Sequence, residues 1–299
     1  MARLPRALVV VADDYGIGPA TSEGILKLCH AGVVTGTVLL VNSPHAADAV
    51  RAWNKVGPNA DLGWHPCLTL DAPILPAQEV PSLVAADGRF PRLGTIVKRA
   101  LSGRLNHGEL VAEFGAQLRR FRELTGAWPS VVNSHHHVQI FPAVGRALRE
   151  VLAVCRPLPY LRCVRESWRT LIRVPGARGK RTFLSSFGRS ESRRQIGDGF
   201  PGNDWLAGIT DPPYVHDSRF FARWLRRVPG SVVELTCHPG LTDPTILGRD
   251  AMPGDGNIER RAQEFALLSR SDFRDAVSQN AFRLTRPSEI GRLSEAQAA

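Results

Sequence analysis

The sequence predicts an α/β fold, specifically a distorted (β/α) barrel of seven or eight mostly parallel strands in a single domain, residues 1–299. Short β-branched runs alternate with amphipathic segments of ten or more residues, a pattern typical of right-handed βαβ units. The chain has 299 residues, 43% of them hydrophobic, which is enough for one large core. Polar residues follow the apolar runs, where active sites lie in such barrels.

Eight segments have the composition of strands, and three segments between them have helical spacing of apolar residues. The predicted strands are ALVVVADD (7–14), GTVLLVNS (36–43), ADLGWHPCLTL (60–70), PSVVNSHHH (129–137), PYLRCVRE (159–166), RTFLSSFG (181–188), SVVELTCHPG (231–240) and FRLTRPSEI (282–290). The predicted helices are TSEGILKLCHAG (21–32), PHAADAVRAWNKVG (44–57) and FPAVGRALREVLAV (141–154). Thr21 or Ser22 supplies the N-cap of the first helix, and Gly32 ends it. Residues 71–105 and 167–215 are predicted to be long loop insertions that cover the mouth of the barrel.

The net charge of +10 is concentrated in one stretch of the chain. Between residues 162 and 194, the only acids are Glu166 and Glu191, against ten basic residues: Arg162, Arg165, Arg169, Arg173, Arg178, Lys180, Arg181, Arg189, Arg193 and Arg194. Such a stretch attracts nucleic acid, an anionic membrane surface or a phosphorylated substrate, although a solvated Arg-rich segment is the simpler interpretation. Because no aromatic interleaving or recognition motif accompanies it, no nucleic-acid partner is expected.

The cysteines and the apolar runs predict a cytoplasmic protein without an integral membrane segment. The five cysteines are widely spaced and form no C-x-x-C pair, so neither a disulfide framework nor a thiolate zinc site is expected. Asp13 and Asp14 interrupt the first apolar run too early for a signal peptide. No later apolar run is long enough to span a bilayer.

Most of the predicted strands end in residues that bind metals or move protons. These residues are Asp13 and Asp14, Asn42, His65, His135 and His137, and His238. The carboxyl ends of parallel strands share one rim, so the side chains are expected to converge. Two imidazoles and one carboxylate suit one divalent metal cation, Mg²⁺ or Zn²⁺, with open positions for water and substrate.

Strand alternation divides the adjacent residues of this set. Successive side chains of a strand point to opposite faces. One aspartate of the pair is therefore expected to bind the metal, and the other to remain free as a base. By the same rule His135 and His137 share one side, whereas His136 faces the packed side or a neighbouring strand.

Five segments, in order and at these separations, resemble the YdjC-like family, which includes the chitooligosaccharide and hopanoid-associated deacetylases. They are VVVADDYGIG, LGWHPCLTL, VVNSHHHVQIFP, RTFLSSFG and VVELTCHPG, and the resemblance runs from about residue 7 to about residue 290. It implies a distorted barrel related to the polysaccharide deacetylases, a divalent metal and a homodimer. It also implies removal of the acetyl group from an N-acetylated amino sugar, free, nucleotide-linked or lipid-linked.

The resemblance also assigns roles to individual positions. Asp14, His65 and His135 match the metal ligands, Asp13 matches the catalytic base, and His238 falls where a general acid is expected. The side chains expected at the substrate are His137, Asn42, Arg162 and Tyr15, and Arg162, like Arg165, could orient Asp13 instead.

The segments also depart from the family pattern. Tyr15 replaces a common phenylalanine, Gln139 replaces a histidine of the chitooligosaccharide enzymes, and Trp64 and Pro66 flank His65 where smaller or aliphatic residues are frequent. These departures leave the metal set intact and leave the identity of the sugar open.

Two other functions fit the same residues. Barrels with Asp and His at the rim also hydrolyse phosphate esters, and the basic stretch would attract a phosphate, but such phosphoesterases usually have ligands for more than one metal. A non-catalytic sugar-binding barrel is the third candidate. Binding alone does not require a free aspartate beside a metal ligand, which favours a hydrolase.

Overall fold

A computed structural model describes residues 5–211 and 215–291, and it confirms the predicted α/β fold. The strands in these residues are β1 (Arg6–Tyr15), β2 (Gly36–Leu39), β3 (Asp61–Trp64), β4 (Val131–Val132), β5 (Tyr160–Leu161), β6 (Trp205–Ala207), β7 (Val232–Cys237) and β8 (Phe282–Leu284). The α-helices are α1 (Pro19–His30), α2 (Ala46–Val56), α3 (Leu93–Leu101), α4 (His107–Thr125), α5 (Pro142–Leu152), α6 (Trp168–Arg173), α7 (Arg178–Gly197), α8 (Phe220–Leu225), α9 (Asn257–Ser269) and α10 (Ser271–Gln279).

The strands form one parallel sheet around β1. The strand order is β5-β4-β3-β2-β1-β7-β6, and β8 pairs with the first residues of β1. Along one edge of β1, β7 pairs from Ala7 to Ala12. Along the other edge, β8 pairs with the start of β1 and β2 pairs with its end. The ten-residue strand therefore has two short neighbours on this edge.

The two ends of the sheet approach each other and give the sheet its barrel-like curvature. The N–H of Leu206, in β6, donates to the carbonyl of Arg165, just beyond β5, over 2.9 Å. The N–H of Leu161 in β5 donates to the carbonyl of Pro201 over 2.8 Å. No ladder joins β5 to β6 among the described residues, and irregular hydrogen bonds such as these connect the two ends instead, so the barrel is distorted, as predicted.

The core lies on both faces of β1. Residues Leu8 to Ala12 have no exposed surface, and their side chains enter two different clusters of buried residues. Strands of parallel sheets are covered on both faces, and this explains why the segment is continuously apolar instead of alternating. The first strand is therefore held rigidly, and the residues that follow it are positioned by the centre of the fold.

The predicted strand at residues 181–188 is wrong, because this segment lies inside the 20-residue helix α7. Its buried residues recur with helical spacing along one face: Arg181, Leu184, Ser185, Gly188, Glu191, Ser192 and Gln195. The guanidinium of Arg181 is fully buried and bonds to the carboxylate of Glu166, which fixes the start of the helix.

Both predicted loop insertions contain regular structure. The region 71–105 carries α3 and a short 3₁₀ helix, Ala77–Glu79. The region 167–215 carries α6, α7 and strand β6, while its residues 212–214 lie outside the described residues. In the described part of the chain, no helix combines the length and apolarity that crossing a bilayer requires.

Candidate metal and catalytic site

A pocket of about 340 Å³ opens at the carboxyl ends of the strands. Six of its lining residues were predicted as site residues from the sequence: Asp13, Asp14, His65, His135, His137 and His238. Apolar side chains also line the pocket: Leu93, Val97, Ile140, Phe141, Phe183, Leu184 and Ile209. The structure therefore gathers residues 225 positions apart in the sequence, from Asp13 to His238, into one cavity.

An irregularity at the end of β1 lets two adjacent aspartates line the same pocket. The pairing of β1 with β2 shifts register between Ala12 and Tyr15, and Asp14 has a positive φ of 66°. Strict alternation would send the two carboxylates to opposite faces. Irregularities of this kind re-aim side chains and are common beside active sites.

Asp14, His65 and His135 form a compact set of ligand atoms. Asp14 Oδ1 lies 3.1 Å from His65 Nε2 and 2.9 Å from His135 Nδ1, and all three residues are buried. Within the described residues Oδ1 has no hydrogen-bond partner, although it is buried. An orphaned carboxylate oxygen between two imidazoles fits a divalent cation that supplies the missing partner.

The backbone around His65 fixes its ring for metal binding. His65 Nδ1 lies 2.7 Å from the carbonyl oxygen of Asn133, which can only accept a hydrogen bond. The proton is thereby held on Nδ1, and the lone pair of Nε2 faces Asp14. Gly63 permits this arrangement, because a Cβ at that position would overlap the carbonyl oxygen of Val131 where β3 meets β4.

The carboxylates near His135 favour its charged form. Burial opposes a charge on His135, but Asp14, and Asp250 at 3.5 Å, raise its pKa to about 8. Arg261 bridges the two carboxylates at 2.5 Å from each, and its guanidinium is buried. A positive charge on His135 is therefore stabilised, and Arg261 holds Asp14 through Oδ2, the oxygen that the imidazoles do not contact.

Asp13 is oriented by a different group of residues. Its two oxygens accept hydrogen bonds of 2.6 and 2.7 Å from the Arg162 guanidinium, and Oδ2 accepts a third of 3.2 Å from Thr236. Burial alone would raise the pKa of Asp13, yet Arg162 holds it well below its ordinary value. Asp13 is thus a fixed carboxylate at neutral pH, and it takes no part in the Asp14 cluster.

His238 faces Asp13 across the pocket. Its Nε2 lies 3.8 Å from Asp13 Oδ2, and its backbone N–H is held by Glu264 over 2.6 Å. Burial and the nearby Arg260 guanidinium lower the pKa of His238 to about 3, so the imidazole is neutral at pH 7. A neutral imidazole must accept a proton before it donates one.

The profile of the YdjC-like protein family matches residues 7–279. The chain belongs to the YdjC-like protein family. It is 31% identical over 272 residues to the carbohydrate deacetylase of Geobacillus stearothermophilus, with 89% of this chain and 90% of that protein covered. It is 28% identical to the chitooligosaccharide deacetylase of Klebsiella pneumoniae strain 342, with coverage of 94% and 98%.

One solved structure has the same fold as this YdjC-like chain. It is described as a cellobiose-phosphate cleavage protein of Enterococcus faecalis V583 and superimposes with a TM-score of 0.74 at 24% identity. The alignment covers 96% of this chain and 99% of that one. The match extends over nearly the whole chain, as the resemblance in the sequence predicted.

Three residues expected at the substrate do not line the pocket of this YdjC-like protein. The Asn42 amide donates to the carbonyl of Ala72 over 2.9 Å and ties down the region 71–105. The Tyr15 hydroxyl is buried and donates to the carbonyl of Ala49 over 2.7 Å. Arg162 is buried between Asp13 and Glu234, so it orients Asp13 and does not contact the pocket.

His136 does not face the packed side, contrary to the prediction from strand alternation. Strand β4 ends at Val132, and His136 and His137 both have positive φ values, 56° and 57°. The rule of alternation therefore does not apply to the three histidines. All of them line the pocket, and His136 Nε2 lies 3.4 Å from Asp250.

Sequence reasoning missed several residues in or beside the pocket. Asp250 lies in a loop rich in glycine and proline, and Arg260 and Arg261 lie on the first turns of α9. Lys180, near the start of α7, also lines the pocket. No strand end marks these positions, so the signal used for the other residues could not identify them.

Changes at Tyr15 and Asn42 test the corrected assignment. Tyr15→Phe removes one buried hydrogen bond and is expected to lower the free energy of unfolding by about 0.5–1.5 kcal/mol. Both Tyr15→Phe and Asn42→Ala are expected to leave the substrate KM within about twofold of wild type, because neither side chain reaches the pocket. Denaturant unfolding and steady-state kinetics measure the two effects, and a large increase in KM for either variant would return that residue to the substrate site.

Proposed function

We propose that this YdjC-like protein is a metal-dependent carbohydrate N-deacetylase that releases acetate and a free amine from an N-acetylated amino sugar. The observation that carries the proposal is the pairing of a ligand cluster, Asp14, His65 and His135, with a separate carboxylate, Asp13, in one pocket. The names of the two curated relatives point to the same class of substrate.

The proposed metal site would use Asp14, His65 and His135, which leaves coordination positions toward the pocket. A divalent cation, Mg²⁺ or Zn²⁺, supplies Lewis acidity there, which polarises an amide carbonyl and makes water more acidic. The nitrogen ligands favour zinc over magnesium, and both remain compatible with the set.

In the proposed mechanism, Asp13 removes a proton from the attacking water and His238 donates a proton to the departing amine. Asp13 accepts the proton of the attacking water, because its carboxylate is ionised and held rigidly by Arg162 and Thr236. His238, neutral at rest and 3.8 Å from Asp13 Oδ2, takes up that proton and delivers it to the departing amine. Acid–base steps of this kind typically contribute about 10²–10⁴-fold to the rate.

The pocket, of about 340 Å³, has apolar side chains that suit the acetyl methyl group and one face of a sugar ring. Lys180 and Arg260 add positive charge to the same pocket. These two side chains are available to an anionic or hydroxyl substituent of the sugar.

A panel of N-acetylated sugars and phosphoesters tests the proposal. The expected result is the loss of 42 Da from an N-acetylated sugar, with acetate released in equal amount, seen by mass spectrometry. Release of phosphate instead would support the phosphoesterase, and binding without turnover would support the sugar-binding barrel. The mass of 42 Da corresponds to replacement of an acetyl group by hydrogen, about the mass of C₂H₂O.

The pKa of His238 predicts a pH dependence of stability. The neutral form is favoured in the folded state, whereas an unfolded histidine takes up a proton near pH ~6.5. Stability therefore falls as the pH drops from about 6.5 toward 3, with a slope of about 1.4 kcal/mol per pH unit from this residue. His238→Asn is expected to flatten this limb of the unfolding curve, as measured by denaturant titrations at several pH values.

The homodimer and the cytoplasmic location stay predictions from the resemblance and the sequence. Light scattering at several protein concentrations measures the first. Fractionation of cells that express the chain measures the second.

A further inference from the structure

A surface at the start of the basic stretch combines exposed apolar and cationic side chains. We define it as the α6–α7 patch, which consists of Trp168, Arg169, Ile172, Arg173, Arg178 and Lys180. The side chains of Trp168 and Ile172 are 62% and 61% exposed, more than any other large hydrophobic side chain of the described residues. They are four residues apart on α6 and therefore lie on the same face of the helix.

The opposite face of α6 packs against the rest of the protein, whereas the face with Trp168 and Ile172 does not. Thr170 is buried, and its N–H is capped by the Ser167 hydroxyl over 3.1 Å. The Arg178 guanidinium donates to the carbonyl of Ile172 over 2.8 Å and joins α6 to the start of α7. The hydrogen bonds of Thr170 and Arg178 hold α6 in place, and Trp168 and Ile172 remain exposed in the folded protein.

The charged side chains of the segment that carries Trp168 and Ile172 are all cationic. From residue 167 to residue 190 the sequence contains no acidic residue. The flanking acids, Glu166 and Glu191, are buried and paired with arginines. The exposed cations Arg169, Arg173 and Arg178 are therefore not balanced by an acid within the segment, whereas Lys180, at the pocket, has Asp211 and Asp250 near it.

We propose that the α6–α7 patch binds the surface of an anionic lipid bilayer. Tryptophan and an aliphatic side chain enter the interfacial region of a membrane, while arginine and lysine at their edges contact the lipid phosphates. Each Lys or Arg near an anionic leaflet strengthens binding about fivefold. This is peripheral attachment by a folded surface and needs no spanning helix.

Two other occupants fit the patch less well. In an isologous dimer the patch would face its own copy, so four cations on each side would repel each other. Nucleic acid would use the cations and stack on Trp168, but it offers no environment for Ile172. An anionic bilayer offers an apolar environment for Trp168 and Ile172 and phosphates for the cations of the patch.

The patch adjoins the pocket, and this gives the membrane contact a function. Lys180 belongs to the patch and also lines the pocket, and Phe183 follows one turn later on α7 and lines it as well. An enzyme attached at this surface would hold its pocket close to the lipid headgroups. This implication rests on the proposed function, whereas the binding of the patch to the bilayer does not depend on it.

Co-sedimentation with phosphatidylcholine vesicles, with and without phosphatidylglycerol, tests the proposal. The wild-type chain is expected to pellet with the anionic vesicles and to bind the neutral ones at least about tenfold more weakly. Trp168→Ser/Ile172→Ser is expected to weaken binding to the anionic vesicles by at least about tenfold, because it removes the apolar anchor. Arg169→Gln/Arg173→Gln is expected to do the same and to reduce the sensitivity of binding to salt.

Val154→Ser/Ile196→Ser is the matched control, since these side chains are also 59% and 49% exposed but lie away from the patch. It is expected to bind like wild type. Wild-type binding by the Trp168→Ser/Ile172→Ser variant, or no binding of the wild type to anionic vesicles, would overturn the proposal. So would a dimer in light scattering that this variant converts to a monomer, or a preference for an oligonucleotide over the vesicles.

Acetate release from a water-soluble N-acetylchitooligosaccharide separates this proposal from the proposed function. The patch variants are expected to release acetate at the wild-type rate, because Trp168, Ile172, Arg169 and Arg173 do not line the pocket. A wild-type chain that binds vesicles but releases no acetate would leave the patch supported and the deacetylase function contradicted. The reverse result would contradict the patch alone.

Discussion

Asp13→Asn is expected to lower kcat for acetate release by at least about 10³-fold while the chain keeps its bound metal. The amide cannot accept the proton of the attacking water, and a general base contributes about 10²–10⁴-fold to such a step. Asp13 is not part of the ligand set, because its oxygens bond to Arg162, Thr236 and Asn133. Steady-state kinetics and elemental analysis of the same preparation measure the two effects.

The substitution also breaks a buried ion pair, so it needs a control for stability. Breaking such a pair commonly costs about 3–5 kcal/mol. Glu166→Gln is the matched control, because Glu166 and Arg181 are also buried and paired but lie outside the pocket. It is expected to lose stability and to keep its kcat. Full activity in folded Asp13→Asn would remove Asp13 from the role of base.

His65→Ala is expected to abolish metal binding and, with it, acetate release. The substitution removes one of three ligands and leaves the carbonyl of Asn133 and Asp14 Oδ1 without the imidazole between them. Loss of even a supporting contact of a metal site costs about 10–100-fold in affinity, so loss of a ligand is expected to exceed that. His135→Ala is expected to behave in the same way in elemental analysis and metal titration.

His107→Ala is the matched control for the histidine variants. His107 also lies beside a carboxylate, at 2.9 Å from Glu150, but the pair is on the surface and away from the pocket. The variant is expected to retain metal and activity. Metal content at the wild-type level in His65→Ala would contradict the proposed ligand set.

The sequence predicted the parts of the fold in which one physical signal dominates. Strand β1 is a continuous apolar run because both of its faces are buried, and α1 and α2 have clear helical spacing. The predicted N-cap of α1, Thr21 or Ser22, is wrong, because Pro19 begins the helix and Gly18 is its N-cap. Strands β4 and β5 have two residues each, so the segments predicted around them were longer than the strands themselves.

Residues 181–188, predicted as a strand but found in α7, show where local composition does not predict secondary structure. Thr182, Phe183 and Leu184 favour a strand locally, but the buried ion pair of Arg181 with Glu166 fixes a helix there. That contact joins residues 15 positions apart, and no short window of sequence contains it. Tertiary packing therefore overrides the local preference.

The site was predicted in outline for a related reason. Strand ends marked Asp13, Asp14, His65 and His135, and the fold brings them to one rim. The backbone irregularity at Asp14 and the positive φ values of His136 and His137 could not be read from the sequence. Asp250 and Arg261 reach the site from a loop and a helix, so only the folded chain reveals them.

Anomalous diffraction from crystals of the chain grown with a divalent metal, such as Zn²⁺ or Mn²⁺, tests the central claim most directly. The account predicts one strong peak within coordination distance of Asp14, His65 and His135, with Asp13 outside the coordination sphere. A peak at other residues, or no peak in this pocket at saturating metal, would contradict it.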